Sequence, residues 1–153
     1  MSEPTAHALS RHFSNLINRN VSFVQAKSIL ENKVRQVYGI YEVFPGNKPL
    51  VVKADLSLLG SFAGAMVGLP DDEVKERLMV NPIEELLRDA MNEVFNVAAA
   101  VIASEGRAVF RSMTTSPLYL GPEAEQSVNN PLHRTFFDVE IEGYVGGKFF
   151  ILS

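Results

Sequence analysis

A polar stripe within an otherwise apolar segment carries the residues of this chain that could do chemistry. In the stretch DAMNEVFNVAAAV, Asp89, Glu93 and Asn96 are spaced i, i+4 and i+7, so on a helix their side chains lie along one ridge. A carboxamide such as that of Asn96 can accept a hydrogen bond from water through its oxygen and donate one to an anion through its nitrogen. A carboxylate such as that of Glu93 can pair with a cation that a partner supplies.

The composition of this stripe is unusual for a helix face that only meets solvent. Asn and Asp are each less favourable than Ala inside a helix by roughly half a kcal/mol, and solvated faces usually carry Glu, Lys, Arg or Gln. Asn92 lies beside the stripe, Arg88 lies at its margin, and no lysine or arginine lies at its centre. The stripe continues into Ala100, a small residue that would let another surface approach closely. Two interpretations follow: an ordinary solvated face, or a docking face that carries chemistry.

A long helix over residues 81–104 is predicted to position the stripe. Asn81 is predicted to cap it, Pro82 to occupy its first position, and Glu105-Gly106 to end it. The opposite side of this helix is apolar at helical spacing, which predicts that it faces the core. The residues on that side are Leu87, Met91, Val94, Ala98, Val101 and Ile102.

The remaining pattern predicts an α+β fold, with an antiparallel sheet and two long helices packed on one face. Thr5 is the predicted cap of an N-terminal helix within residues 1–20, and the glycines of SLLGSFAGAMVG favour close helix packing. The polar segment 123–133 is predicted to be a mobile loop. The other predicted elements are the strand VSFVQAK, a hairpin of VRQVYGIYEVF and LVVKA, a short helix ending near Leu78, the strand RAVFRSMTT, and a final hairpin of FFDVEIEGY and KFFILS turning at residues 145–147.

Composition limits the classes of function. The chain has 153 residues, which predicts a single domain over 1–153 that needs no disulfide or metal for stability, and it has no cysteine. A net charge of −4 without a basic block disfavours nucleic acid and anionic membranes as partners. No secretory signal or membrane span is evident, so a soluble, cytoplasmic protein is predicted. Because the three histidines are scattered, no resident metal or other cofactor is expected.

The spacing D-x3-E-x2-N, formed by Asp89, Glu93 and Asn96, resembles the signature of the CheC/CheX family of chemotaxis phosphatases. The similarity extends to Ser116-Pro117, in MTTSPLYLG, and to the order of elements from Val34 to Ser153. Because only one such motif is present, the chain is most similar to the single-motif CheX type. Phe95 stands where the family favours a small residue, and NVAAA replaces an Asn-x-x-x-Gly ending. The bulk of Phe95 bears on which partner the helix would accept and on whether the site is active.

The resemblance implies a function. Members of this family accelerate hydrolysis of the aspartyl phosphate on a CheY-like response regulator. By that likeness Asn96 would position the attacking water and Glu93 would engage the active-site lysine of the regulator. Asp89, Asn92 and Ala100 would contact the partner, and magnesium would reside on the regulator rather than on this chain. The resemblance also implies a homodimer.

Alternatives remain open from the residues themselves. The first is a non-catalytic adaptor of the same fold, which binds a receiver domain or another signalling protein through the Asp89–Asn96 ridge. The second is a small-molecule hydrolase that uses the carboxylates of Asp89 and Glu93, which would need a deep pocket. The apolar strand KFFILS is expected to be a central or half-buried strand, with an edge strand that pairs a second copy as the alternative. Ser116 is interpreted as a turn residue rather than a nucleophile.

Overall fold

One antiparallel sheet organises the molecule. The computed structural model describes residues 5–27 and 34–153, and over these ranges six strands pair in the order β1-β5-β6-β3-β2-β4. The strands are β1 (Val21–Ala26), β2 (Gln36–Phe44), β3 (Lys48–Asp55), β4 (Arg107–Thr114), β5 (Arg134–Ile141) and β6 (Tyr144–Leu152). The helices are α1 (Ala6–Ile17), α2 (Leu56–Met66), α3 (Asp71–Leu78), α4 (Glu85–Ile102) and α5 (Pro122–Asn129), with a one-turn 3-10 helix at Pro117–Tyr119.

The two faces of the sheet are covered differently. Alternation along β2 sends Val37 and Tyr41 into the main core, beneath the layer formed by α1, α2 and α4. The intervening Tyr38 belongs to a second, smaller cluster on the other face, together with Val51 of β3 and with Leu120. The predicted α+β fold, with an antiparallel sheet and long helices packed on one face, is therefore confirmed.

The segment predicted to be a mobile loop, residues 123–133, instead begins with a helix. Helix α5 starts with Pro122 at a position where a missing N–H costs nothing, and Glu123 and Glu125 lie in its first turn. Leu120, Ala124 and Val128 are spaced four apart and pack in the second cluster. The loop prediction was wrong because this apolar stripe is short and is interrupted by polar residues, so its packing partner on the sheet is not evident locally.

The closing hairpin also differs from the prediction. It turns at Glu142-Gly143, where Gly143 has φ +80°, and not at residues 145–147. Gly146 and Gly147 lie within β6, where a side chain on Gly146 would collide with the backbone of Val139. Strand β6 is central, between β5 and β3, so the expectation of a central KFFILS strand is confirmed and the edge-strand alternative is wrong.

Helix boundaries follow packing more closely than local signals. Helix α4 begins at Glu85, and the prediction that Pro82 would occupy its first position was wrong. Ile83 is 8 % exposed in the core, so the chain enters the helix from an anchored, extended segment. For α1 the predicted cap is confirmed: the Oγ1 atom of Thr5 accepts a hydrogen bond from the N–H of Ala8 at 3.0 Å. That helix ends at Ile17, within the predicted range.

The predicted close packing of the glycine-rich helix is confirmed at two of its three glycines. A Cβ atom on Gly60 would collide with the side chain of Leu78, and one on Gly64 would collide with that of Val74. Helix α3 therefore rests directly on the backbone of α2. Gly68 has a different role, since it has φ +81° just beyond the end of α2. None of the helices in the described ranges is long and apolar enough to cross a membrane.

The buried edge of His12 predicts an acid-sensitive contribution to stability. Its Nε2 atom is buried without a hydrogen-bond partner among the described residues, and burial lowers the pKa of His12 below the usual 6.5. The unfolded chain therefore binds the proton more readily. The free energy of unfolding should fall as the pH drops below 6.5 towards the lowered native pKa, and this contribution should be intact above 6.5.

Urea unfolding between about pH 7.5 and about pH 5 measures this effect. The variant His12→Gln should lose less stability over that interval than the wild type. Asn15, an exposed residue on the same helix that does not titrate, provides the control Asn15→Gln, which should keep the wild-type dependence on pH. Equal losses in wild type and His12→Gln would show that this histidine does not titrate on unfolding in the way described.

Candidate functional site

The predicted stripe is an exposed ridge on α4. Asp89, Glu93, Asn96 and Ala100 are all exposed, while the opposite side of the helix faces the core. Among the described residues, no hydrogen bond or ion pair engages the side chains of Asp89, Glu93 or Asn96. The structure thus presents an acid and an amide one turn apart, with their polar atoms free to meet another molecule.

Asn92 behaves differently from its neighbours. Its side chain is half-buried, and its Nδ2 atom donates a hydrogen bond to the carbonyl oxygen of Arg88 at 3.0 Å, one turn back along α4. Such back-bonding turns the amide towards its own helix. In this conformation Asn92 flanks the ridge with its donor already engaged.

Phe95 faces the sheet and not the solvent. It is 1 % exposed, its ring stacks on Phe110 with centroids 5.9 Å apart, and it meets Tyr41 edge-on at 6.5 Å. Beneath it lies Gly39, where an added Cβ atom would come within 2.5 Å of the Phe95 ring. Phe95 therefore presents no bulk on the exposed side of the helix, because its ring fills a gap in the sheet beneath it.

A buried hydroxyl supports the same turn of α4. Tyr41 is 1 % exposed, and its hydroxyl donates to the carbonyl oxygen of Phe95 at 2.6 Å. Burial raises the pKa of Tyr41 well above its usual value, so this hydroxyl remains a donor at any ordinary pH. The bond ties β2 to the peptide that directly precedes Asn96.

This support was not identified from the sequence. A glycine inside a strand pattern often marks the close approach of another element, and Gly39 in VRQVYGIYEVF is such a signal. What approaches it could not be known, because the partner residue lies 56 positions away on another element.

One concave region of the described surface lies away from the ridge. A cavity of about 460 Å³ opens at the C-terminal end of α4, where its lining includes Ile102, Leu50 and Ile151. Neither Glu93 nor Asp89 lines it. The hydrolase alternative, which needs these carboxylates in a deep pocket, therefore has no support from the geometry. Within residues 5–27 and 34–153, no group of three or more His, Asp or Glu side chains could hold a metal ion.

The Ser-Pro segment has a local structural role. The Oγ atom of Ser116 accepts a hydrogen bond from the N–H of Leu118 at 3.3 Å, which caps the 3-10 helix that begins at Pro117. Ser116 in turn donates its N–H to the Oγ1 atom of Thr114 at 3.1 Å. This agrees with its interpretation as a turn residue.

Comparison with known proteins establishes the fold. No protein-family model matches the chain, and no curated protein does. Among solved structures, it is similar to Thermotoga maritima FliY, with a TM-score of 0.57 and 17% identity over 94% of this chain and 80% of that one. It is also similar to FliM in the FliM–SpeE complex from H. pylori, with a TM-score of 0.55 and 11% identity over 96% of this chain and 80% of that one.

Structures of CheX are among the neighbours at lower similarity. CheX in the complex with CheY from Borrelia burgdorferi aligns with a TM-score of 0.42 and 8% identity, over 94% of this chain and 90% of that one. The chain shares its fold with FliM and FliY, the neighbours with TM-scores above 0.5, and on these neighbours the likeness predicted from the sequence, to the CheC/CheX-like group of folds, is confirmed. Structural similarity at such low sequence identity establishes the fold alone, so the activity has to be argued from the site.

The contact between Gly39 and Phe95 yields a prediction about the support of the ridge. Gly39→Ala should lower the free energy of unfolding by about 1–3 kcal/mol, because a methyl group would be forced into the Phe95 ring. In a Phe95→Leu background the same change should cost clearly less, since the ring is gone. Urea unfolding of the wild type, both single variants and the double variant measures this coupling. Additive losses would contradict the proposed contact.

Proposed function

We propose that this protein accelerates hydrolysis of the aspartyl phosphate on the receiver domain of a CheY-like response regulator. The observation that carries the proposal is the exposed pair Glu93 and Asn96, one turn apart and unpaired, on a helix braced from beneath by Phe95 and Tyr41. Support also comes from the D-x3-E-x2-N spacing and from the fold. The ridge projects outward, as a group must if it is to enter the reaction centre of another protein.

Asn96 is proposed to position the attacking water. Hydrolysis of an acyl phosphate requires a water molecule in line with the departing carboxylate and stabilisation of charge on the phosphoryl oxygens. The Oδ1 atom of Asn96 would accept a hydrogen bond from that water, while its Nδ2 atom would donate to a phosphoryl oxygen. The amide would orient the nucleophile rather than remove its proton. Water attacks phosphorus, the bond from phosphorus to the aspartyl oxygen breaks, and inorganic phosphate leaves.

Glu93 is proposed to bind a cation of the partner. A carboxylate would repel a phosphoryl group at close range, so its useful contact is a positively charged group beside that phosphate. The active-site lysine of a receiver domain is such a group. Pairing with it would seat Asn96 one turn further along α4. The receiver itself would supply the magnesium ion.

The neighbouring residues are proposed to shape the contact. Asp89 is exposed one turn before Glu93, and Ala100 one turn after Asn96 has no bulk to hold a partner away. Asn92 would contribute its Oδ1 atom, because its nitrogen is engaged with Arg88. A homodimer is also proposed, with β1 and β4, the edges of the described sheet, as the strands able to pair with a second copy.

A second candidate function is a non-catalytic adaptor that uses the same ridge. It is favoured by the structural neighbours with TM-scores above 0.5, which include FliM bound to SpeE and, at a TM-score of 0.51, FliM bound to FliG. An adaptor would bind a receiver or another signalling protein without shortening the lifetime of a phosphoryl group. Asn96 would then contribute to binding and not to a reaction rate.

The decay of a phosphorylated receiver distinguishes the two functions. Asn96→Ala should abolish acceleration of decay while binding remains within about threefold of wild type, because a water-orienting group acts mainly in the transition state. Glu93→Ala should weaken both acceleration and binding, since it removes the contact with the lysine. The assay uses response regulators encoded in the same genome and phosphorylated by a small-molecule phosphodonor, and it follows the release of inorganic phosphate from them.

Asn15→Ala is a matched control, because Asn15 is an exposed helical asparagine on α1, away from the ridge. This variant should behave as wild type. An Asn96→Ala protein that still accelerates decay at the wild-type rate would rule out the proposed mechanism. Binding by wild type without any acceleration would favour the adaptor.

A further inference from the structure

Three large apolar side chains within eight consecutive residues, at the approach to α4 and in its first turn, are exposed. Met79 is 82 % exposed, Val80 is 61 % exposed and Leu86 is 49 % exposed. Single exposed apolar residues are common on protein surfaces, but several in one place are typical of an interaction site. The first two lie in the connection between α3 and α4, where a loop that met only solvent would be expected to carry polar residues.

This connection is held in place by its surroundings. Leu78 and Ile83, on either side of the exposed pair, are both buried, and the Nη1 atom of Arg35 donates to the carbonyl oxygen of Leu78 at 2.7 Å. Arg77 pairs with Glu84 across the base of the connection. Met79 and Val80 therefore project from an anchored segment, which reduces the entropy that a partner must overcome to bind them.

Leu86 joins this apolar surface to the acidic ridge. It lies three residues before Asp89 and seven before Glu93, so all three share one side of α4. The exposed side of the helix thus runs from an apolar end, through two carboxylates and the amide of Asn96, to Ala100.

We propose that Met79, Val80 and Leu86 form an apolar anchor that docks the phosphorylated protein substrate and thereby aligns its reaction centre with Glu93 and Asn96. This inference rests on the proposed function. Its occupant is a globular receiver domain whose cation-bearing cleft is bordered by apolar surface. The apolar border would cover the anchor, and the cation would meet the carboxylates.

Charge complementarity favours such a partner over a second copy of this chain. Asp89 and Glu93 have no cationic partner among the described residues, so a surface that covers them must bring positive charge. In a symmetric dimer whose twofold axis passes through the ridge, the carboxylates of one copy would approach those of the other. A cationic cleft in a different protein avoids that repulsion.

The anchor and the ridge would contribute differently to the reaction. An ion pair formed on docking gains attraction but must first lose its hydration, so its net contribution to affinity is smaller than that of apolar side chains that become fully covered. The anchor contacts the substrate equally before and during the reaction. Its loss should therefore raise the KM for the phosphorylated receiver and leave kcat nearly unchanged.

The test compares the double variant Met79→Ser/Leu86→Ser with a matched control. Leu132→Ser also removes a strongly exposed leucine, since Leu132 is 90 % exposed, and its N–H is bonded to Ser153 at the other end of the sheet. For the double variant, KM for the phosphorylated receiver should rise about tenfold or more, with kcat within about twofold of wild type. The control should keep the wild-type values. Unfolding curves of all three proteins verify that they are folded.

The outcomes separate this inference from the proposed function. An unchanged KM in the double variant, with Asn96→Ala inactive, would overturn the anchor and leave the proposed function standing. If wild type binds a receiver without accelerating decay, the proposed function fails, and the docking role of the patch stands only if the double variant binds about tenfold more weakly. If wild type binds no receiver, both proposals fail. A change in solution mass of the double variant, measured by light scattering, would identify the patch as a self-association surface and overturn the anchor.

Discussion

The geometry of the ridge depends on one packing arrangement: the ring of Phe95 seated over Gly39, with the hydroxyl of Tyr41 bonded to the carbonyl oxygen of Phe95. The ring fills the space that a side chain on β2 would otherwise occupy. The hydrogen bond is directional, so it constrains rotation of α4 about its own axis as well as its distance from the sheet. The position of an exposed helical residue depends on the position of its helix. Asn96 directly follows Phe95, the residue through which α4 packs on the sheet.

The same arrangement explains how an exposed site can be ordered. In a pocket, walls on several sides fix the position of a reacting group, whereas a ridge has support from below only. Here that support is aromatic, with Phe110 of β4 stacked against Phe95. Close-packed cores do not deform gradually, so the ridge is presented as a rigid unit. The helix layer next to it is anchored separately, through the close contact of α2 with α3 at Gly60 and Gly64.

Local chemistry in the sequence predicted much of this structure. The stripe of Asp89, Glu93 and Asn96 was placed correctly because helical periodicity alone determines which residues share a face. The boundaries of α4 were less predictable, since burial of Ile83 and not the Asn-Pro signal decides where that helix starts. Helix α5 was not predicted because its short apolar stripe packs on the sheet, and the sheet surface that it covers is not evident from the local sequence. The burial of Phe95 was not predicted for a related reason: its partners come from β2 and β4, and a linear pattern does not show which face of the sheet a ring will meet.

The hydration of Glu93 and Asn96 in the absence of a partner bears on the proposed mechanism. Because no residue of the described chain engages Glu93 or Asn96, solvent alone must hydrate their polar atoms before a partner arrives. That water is displaced on docking, and the loss is offset only where the partner supplies a cation for the acid and hydrogen-bonding groups for the amide. A receiver reaction centre presents both, whereas a neutral apolar surface presents neither, so under the proposed function the polar centre of the ridge would contribute selectivity. Most of the binding free energy would then come from apolar surface, because its removal from water is favourable. The exposed apolar side chains at the start of α4 provide such surface.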